Sequence, residues 1–359
     1  MDLIASTWMT RSLDEPVASV GLEEDGSVTA GGWNGSVKRW DDKGDLLWST
    51  ILNDRVNDIV FHRDCLIATA GLHIVCLEKS SGIVRWTHAL EGSADAALIH
   101  NDVVYAVSSV YDIEHNDFIE SAVWAYDLDG TERWVNRMDE RPWTILSSNE
   151  QVWLGLGRPK CGFATIAADG TLLHCDGPVD APITSGHSHG ATLAFGHADG
   201  TVSNQSSKAL RTFETGIESL VCDEAGIAVA EESGHLHSMA YDGKLNWSLN
   251  GDSIEAQCIG FTINGHKSHW FSRSTGTKSS LSVANGEDGT LFVQSESVDV
   301  RYLSCVDNRV VAGCQNGTVY VWEQGLFGRR ISDQNEQGAL AKDPKKTALQ
   351  DRLRKLRER

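Results

Sequence analysis

Leu77-Glu-Lys-Ser-Ser-Gly-Ile-Val-Arg-Trp86, Ala125-Tyr-Asp-Leu-Asp-Gly-Thr-Glu-Arg-Trp134 and Ala240-Tyr-Asp-Gly-Lys-Leu-Asn-Trp247 are three versions of one phrase. Each is an apolar strand end, a turn of polar residues and glycine, and a tryptophan four residues after that glycine. Gly44 and Trp48 form a fourth copy, and Gly170 to His174 and Gly289 to Val293 keep the offset with other last residues. About ten residues beyond each anchor a short apolar strand follows, centred on Asp58, Ala96, Thr144, Thr184, Gln257 or Leu303. Trp8 stands at the same distance before Val17-Ala18-Ser19-Val20. With Arg211 as the degenerate anchor of the weakest repeat, positions 8, 48, 86, 134, 174, 211, 247 and 293 lie 36 to 48 residues apart. That is the length of one four-stranded antiparallel unit, and eight anchors predict eight units.

Within a unit, period-2 alternation and turn residues mark the strands. The second repeat reads as Asp58 to His62, Cys65 to Ala70, His73 to Glu78 and Ile83 to Leu90. Asn34-Gly35, Asp199-Gly200, Ser233-Gly234 and Asn316-Gly317 punctuate the second and third strands, as tight turns require. The eighth unit has only three strands, around Leu303, Val310 to Gly313 and Thr318 to Glu323. Residues 2–10, with Trp8 as the anchor, are expected to supply the fourth and remove the open edge. The fold class is therefore all-β, an eight-bladed β-propeller over residues 1–325 whose last blade is closed by the N-terminal strand.

The quoted phrases resemble the Ala-Leu-Asp-x-x-x-Gly-x-x-x-Trp signature of the pyrroloquinoline-quinone-like (PQQ-like) propeller superfamily. Trp40-Asp41 and Trp322-Glu323 resemble the Trp-Asp dipeptide of WD40 blades. The likeness covers roughly residues 1–325 and implies the fold; function has to be argued from sites. Quinone-dependent dehydrogenases of this kind carry a vicinal cysteine disulfide and calcium ligands. No two cysteines are adjacent here, so no cofactor is expected. The eight-bladed scaffold of the outer-membrane protein assembly machine is a closer resemblance, one that implies a rigid platform without chemistry.

The 359 residues carry 31 Lys and Arg against 50 Asp and Glu, a net charge of −19. No apolar run is long enough to span a bilayer, and the N-terminus lacks a basic segment followed by an apolar core, so a cytoplasmic location is expected. The cysteines show no zinc spacing and most fall in strands, where a free thiol behaves as a small hydrophobe. Residues 327–359 reverse the charge, with 10 basic and 5 acidic side chains. Residues 326–346 read as a flexible linker. Thr347-Ala-Leu-Gln350 reads as a capping box opening a short basic helix over 347–359. Leu349, Leu353 and Leu356 form its apolar stripe, flanked by Arg352 and Lys355. Such a helix orders on docking, and the leucines favour a protein groove over RNA.

Antiparallel blades bring the interblade connections and the turns between second and third strands to one rim. Trp33, Tyr111, Phe118, Arg141, Trp143 and Arg158 are assigned there as the partner surface, because aromatic residues and arginine dominate binding hot spots. No metal site is expected. Asp112, Glu114, Asn116 and Asp117 lack the glycine and terminal bidentate glutamate of a calcium loop. His187 and His189 lie at the opposite rim from His197, and His235 and His237 share a strand face as packing or solvated residues. There is no nucleophile elbow, P-loop, dinucleotide fingerprint or zincin motif. The expectation is a non-enzymatic intracellular scaffold for protein partners. Two alternatives remain: a small-ligand or carbohydrate-active propeller using channel carboxylates, and an RNA- or ribosome-associated factor acting through the tail.

Overall fold

The computed structural model describes residues 3–114, 116–148, 151–167 and 169–330. Eight four-stranded antiparallel sheets follow one another around a central axis. Blade 1 runs Val17–Leu22, Val28–Gly32, Ser36–Trp40 and Leu46–Ile51, strands a to d in order. Blade 2 runs Val56–His62, Cys65–Ala70, His73–Glu78 and Val84–Ala89, within two residues of expectation at every boundary. The a strands of neighbouring blades touch and surround the axis. Strands b and c are almost wholly buried, as in Cys65–Ala70, while d strands alternate between buried and exposed positions. That gradient follows from geometry, since b and c are covered on both faces by the flanking blades and d lies at the circumference.

The recurring tryptophan now has a physical cause. Each indole leaves strand d of its own blade and docks on the next one. Nε1 donates to a backbone oxygen there, Trp48 to Lys79 at 2.8 Å, Trp86 to Leu128 at 2.9 Å and Trp247 to Gly286 at 2.7 Å. The glycine that receives the ring is the one in the next blade's c–d turn. A Cβ on Gly130 would lie 2.6 Å from the Trp86 ring, and Gly130 also holds φ +91°, a region where side chains are strained. Gly130→Ala is expected to destabilise the ring by about 2–3 kcal/mol, from left-handed strain plus overpacking; chemical denaturation reads this out. Arg211 takes the tryptophan's place in blade 5, with Nη1 on the Gly243 oxygen at 3.2 Å.

Blade 8 is closed by Met9–Ser12, paired antiparallel to Thr318–Glu323 with Met9 opposite Val321 and Ser12 opposite Thr318. The closing strand is thus later and shorter than residues 2–10. Ile4–Ser6 instead form a 3₁₀ turn, because Leu3 turns inward: its side chain is fully buried and its carbonyl accepts Nε1–H of Trp322 at 2.9 Å. Trp8 sits just before the strand, its amide bonded to the Val321 oxygen and its indole to the Asp42 oxygen of blade 1, so it does join the two ends of the chain.

A second difference lies at the other terminus. The expected linker from 326 begins instead as a helix over 324–330, with Phe327 fully buried. Its start is capped by Glu323, whose carboxylate accepts the amides of Gly325 and Leu326 at 2.8 Å each. Leu3, Phe261, Trp270, Trp322 and Phe327 form one apolar cluster between blades 7 and 8. The expected helix over 347–359, with Leu349, Arg352, Leu353, Lys355 and Leu356, lies outside the described residues. The cysteines are free, and six of the eight are buried. No helix among the described residues is long and apolar enough to cross a membrane.

Candidate functional site

The rim that carries the b–c turns and the interblade connections gathers four of the six assigned residues into one cluster. Blade 3 extends strands b and c well beyond their counterparts, Val103–Asp112 and Asp117–Asp127, and so raises a hairpin tip above the rim. Tyr111 and Phe118 face each other at its base, ring centroids 5.0 Å apart. Arg141 and Trp143 arrive from the connection into blade 4, whose strand a is Pro142–Ser148. Phe118 meets Trp143 edge to face at 6.0 Å. Between these two rings lies the Arg141 guanidinium, 3.5 Å from the Phe118 centroid and 3.8 Å from that of Trp143.

That arrangement is built, not incidental. Asp95 from strand a of blade 3 lies 3.6 Å from Arg141, and its own carboxylate is held by the hydroxyls of Ser93 and Ser109. Burial pushes the Arg141 pKa down, and Asp95 works against that shift; an arginine remains charged regardless. A cation between two aromatic faces gains from both and fixes both rings with little rotamer entropy left to lose. Tyr111 is anchored as well, donating its hydroxyl proton to Asn116 Oδ1 at 2.6 Å.

Around this fixed base the surface is apolar and open. Tyr111 is 46% exposed, Trp143 45%, Ile119 54% and Ile113 at the tip 85%. Phe118 and Arg141 are half-buried, so they support the surface more than they present it. The interdigitated stack itself covers them. Arg158 is exposed in the b–c turn of blade 4, beside Trp143, whose indole packs on Gly157 closely enough that a Cβ there would lie 2.7 Å from Nε1. Trp33 stands apart in blade 1. It is 44% exposed and covered on one face by Arg55 at 4.0 Å, and Arg55 bonds Tyr302 of blade 8 at 3.0 Å.

The carboxylates and the amide of the hairpin tip spend oxygens on the loop itself. Asp112 accepts the Glu114 amide, Asp117 the Phe118 amide, and Asn116 the Tyr111 hydroxyl. In the channel, Asp58 uses one carboxylate oxygen on the Ile59 amide and the other on the Ala97 amide of the next blade. Burial raises its pKa against those bonds. Glu218 is also raised, first by burial and then by the charges of Glu232 and Glu255. Sequence reasoning had no means of choosing these carboxylates, because channel orientation depends on bulges in each a strand, as between Val56 and Asp58.

Residues 20–168 match the family described as outer membrane protein assembly factor BamB. No curated protein sequence matches the chain. Among solved structures, BamB from Moraxella catarrhalis superposes with a TM-score of 0.69 at 14% identity, covering 88% of this chain and 97% of that one. Saccharomyces cerevisiae Sqt1 gives 0.70 at 11%, covering 89% and 98%. The computationally designed Ika8 protein gives 0.67 at 18%, covering 87% and 98%. At these identities the likeness is one of fold. The chain is an eight-bladed β-propeller, and its residues 20–168 match the model of a PQQ-like repeat family.

Proposed function

We propose that this protein is a non-enzymatic interaction scaffold that binds a protein partner through the blade 3 hairpin and the blade 3–4 connection. The carrying observation is the Phe118–Arg141–Trp143 stack, which rigidly presents Tyr111, Trp143, Ile113 and Ile119 to solvent. Rigid aromatic side chains around a fixed arginine are what hot spots are made of. An exposed apolar group of this kind, rimmed by carboxylates, fits a partner bringing apolar side chains and basic groups. The match to a family described as an assembly factor is compatible with such a platform.

The test is affinity recovery from native-host lysate, nuclease-treated, with the full chain and with Tyr111→Ala/Trp143→Ala. Both side chains are half-exposed, so the variant should keep its fold. If each contributes about 2 kcal/mol as hot spots do, recovery of a stoichiometric protein falls by about a hundredfold or more. Equal recovery by both chains would refute the assignment. A retained species lost on nuclease treatment would favour RNA.

A further inference from the structure

We propose that the b–c turn of blade 6 is a divalent-cation site, built by Glu231, His235 and His237 and suited to zinc. Glu231 is the last residue of strand b, Ile227–Glu231, and His237 lies in strand c, Leu236–Met239, with His235 just before it. Glu231 Oε1, His235 Nδ1 and His237 Nε2 converge within 4.8 Å of one another. Oε1 is 2.7 Å from His237 Nε2 and 3.5 Å from His235 Nδ1. Two imidazoles and a carboxylate are a zinc-type donor set, with bonds of about 2.0–2.2 Å. A tetrahedral set at those lengths needs ligand atoms about 3.4 Å apart, so Glu231 and His237 have to part by only about 0.7 Å.

The groups around the three ligands hold them in ligating form. Glu231 is 2% exposed. Its other oxygen, Oε2, is taken by the amide and hydroxyl of Thr215 at 2.8 and 3.0 Å, which leaves Oε1 aimed at the histidines. Burial by itself would raise this carboxyl, but the hydrogen bonds from His237 and Thr215 outweigh it and keep it low and charged. The Nδ1 of His237 meets Ser248 Oγ at 2.7 Å. Without an ion Nε2–H donates to Glu231 and the Ser248 hydroxyl donates to Nδ1; a bound cation would displace the Nε2 proton, and Ser248 can then accept from Nδ1–H, as in metal sites whose histidines are oriented from behind. The ring is further fixed by stacking on Phe213 at 4.5 Å. His235 is one-third exposed and opens the site to solvent, so an ion can enter and a water can complete the tetrahedron.

The competing explanation is that a protonated histidine merely neutralises Glu231, and the two are separated by adding the ion. The untagged full chain is stripped with chelator and titrated with Zn²⁺ by calorimetry, then with Co²⁺ by visible spectroscopy. Expected results are one equivalent bound, the intense absorption of tetrahedral Co²⁺, and a Tm about 4 °C higher at a hundredfold excess over Kd. His235→Ala, at a partly exposed position, keeps the apo Tm and weakens Zn²⁺ about a hundredfold, a loss at the upper end of that seen for partners behind the ligands. His266→Ala, a partly exposed histidine elsewhere, leaves binding unchanged. Absence of saturable one-equivalent binding in the wild type, or unchanged affinity in His235→Ala, would overturn the proposal.

Discussion

Removing residues 1–12 should leave a chain that no longer forms a stable ring. The deletion takes away the strand Met9–Ser12 and, with it, the outer pairing of Thr318 to Val321. It also takes Leu3 and Met9, buried to 0% and 5% exposure, and each such loss costs about 2–5 kcal/mol. The Trp322 indole N–H, wholly buried, is left without its acceptor on Leu3, a further cost of about 1–3 kcal/mol. Together these reach about 5–13 kcal/mol, against a total stability of about 5–15 kcal/mol for a folded protein. The newly open strand is moreover an edge that pairs with other chains. Size-exclusion chromatography and thermal unfolding should show aggregation or a steeply lowered transition. A truncated chain that melts like the full one would refute ring closure by the N-terminus.

Trp270→Ala carries the largest expected effect of any single substitution. Trp270 is fully buried between blades 7 and 8, with Phe261, Trp322 and Phe327 at 5.6, 5.0 and 5.5 Å between ring centroids. Its Nε1 donates to Ser268 Oγ at 2.9 Å, and that hydroxyl donates on to the Phe261 oxygen at 2.5 Å. Truncation empties the centre of the cluster that both chain ends cover, Leu3 from one side and Phe327 from the other. The expected loss is about 3–5 kcal/mol by denaturant unfolding. A loss below about 0.5 kcal/mol, the range of ordinary exposed positions, would show that this seam is not where the ring is held shut. A chain ending at Gly325 would also remove Phe327, so a test of the basic tail alone has to keep residues through 330.

The architecture was legible because the glycine-to-tryptophan spacing is a packing rule written once per blade. What spacing alone does not reveal is the direction of docking. Gly130 reads as the start of the Trp134 phrase, yet it receives Trp86 from the preceding blade. Phe327 was missed for a related reason. A single aromatic after Gly325 in a polar context carries no periodicity, and only the hollow beside Trp270 gives it a place. That Tyr111, Phe118, Arg141 and Trp143 share one rim was legible from topology, since an insertion and a connection at one rim must meet. Their stacking order was not accessible, and it decides that Arg141 is a support. Glu231 escaped notice because its partners lie on the next strand, across a turn. His235 and His237 at i and i+2 are an ordinary pattern until a buried carboxylate is placed opposite them.

Site-specific photo-cross-linking in the native host tests the central claim most directly. A photoreactive phenylalanine analogue at Tyr111 preserves the aromatic surface, and the same analogue at Asp307, in an a–b turn on the opposite rim, is the control. The account predicts one dominant cross-linked protein from position 111, absent from position 307 and lost when Trp143→Ala is added. No adduct from 111, or the same adducts from both positions, would contradict it.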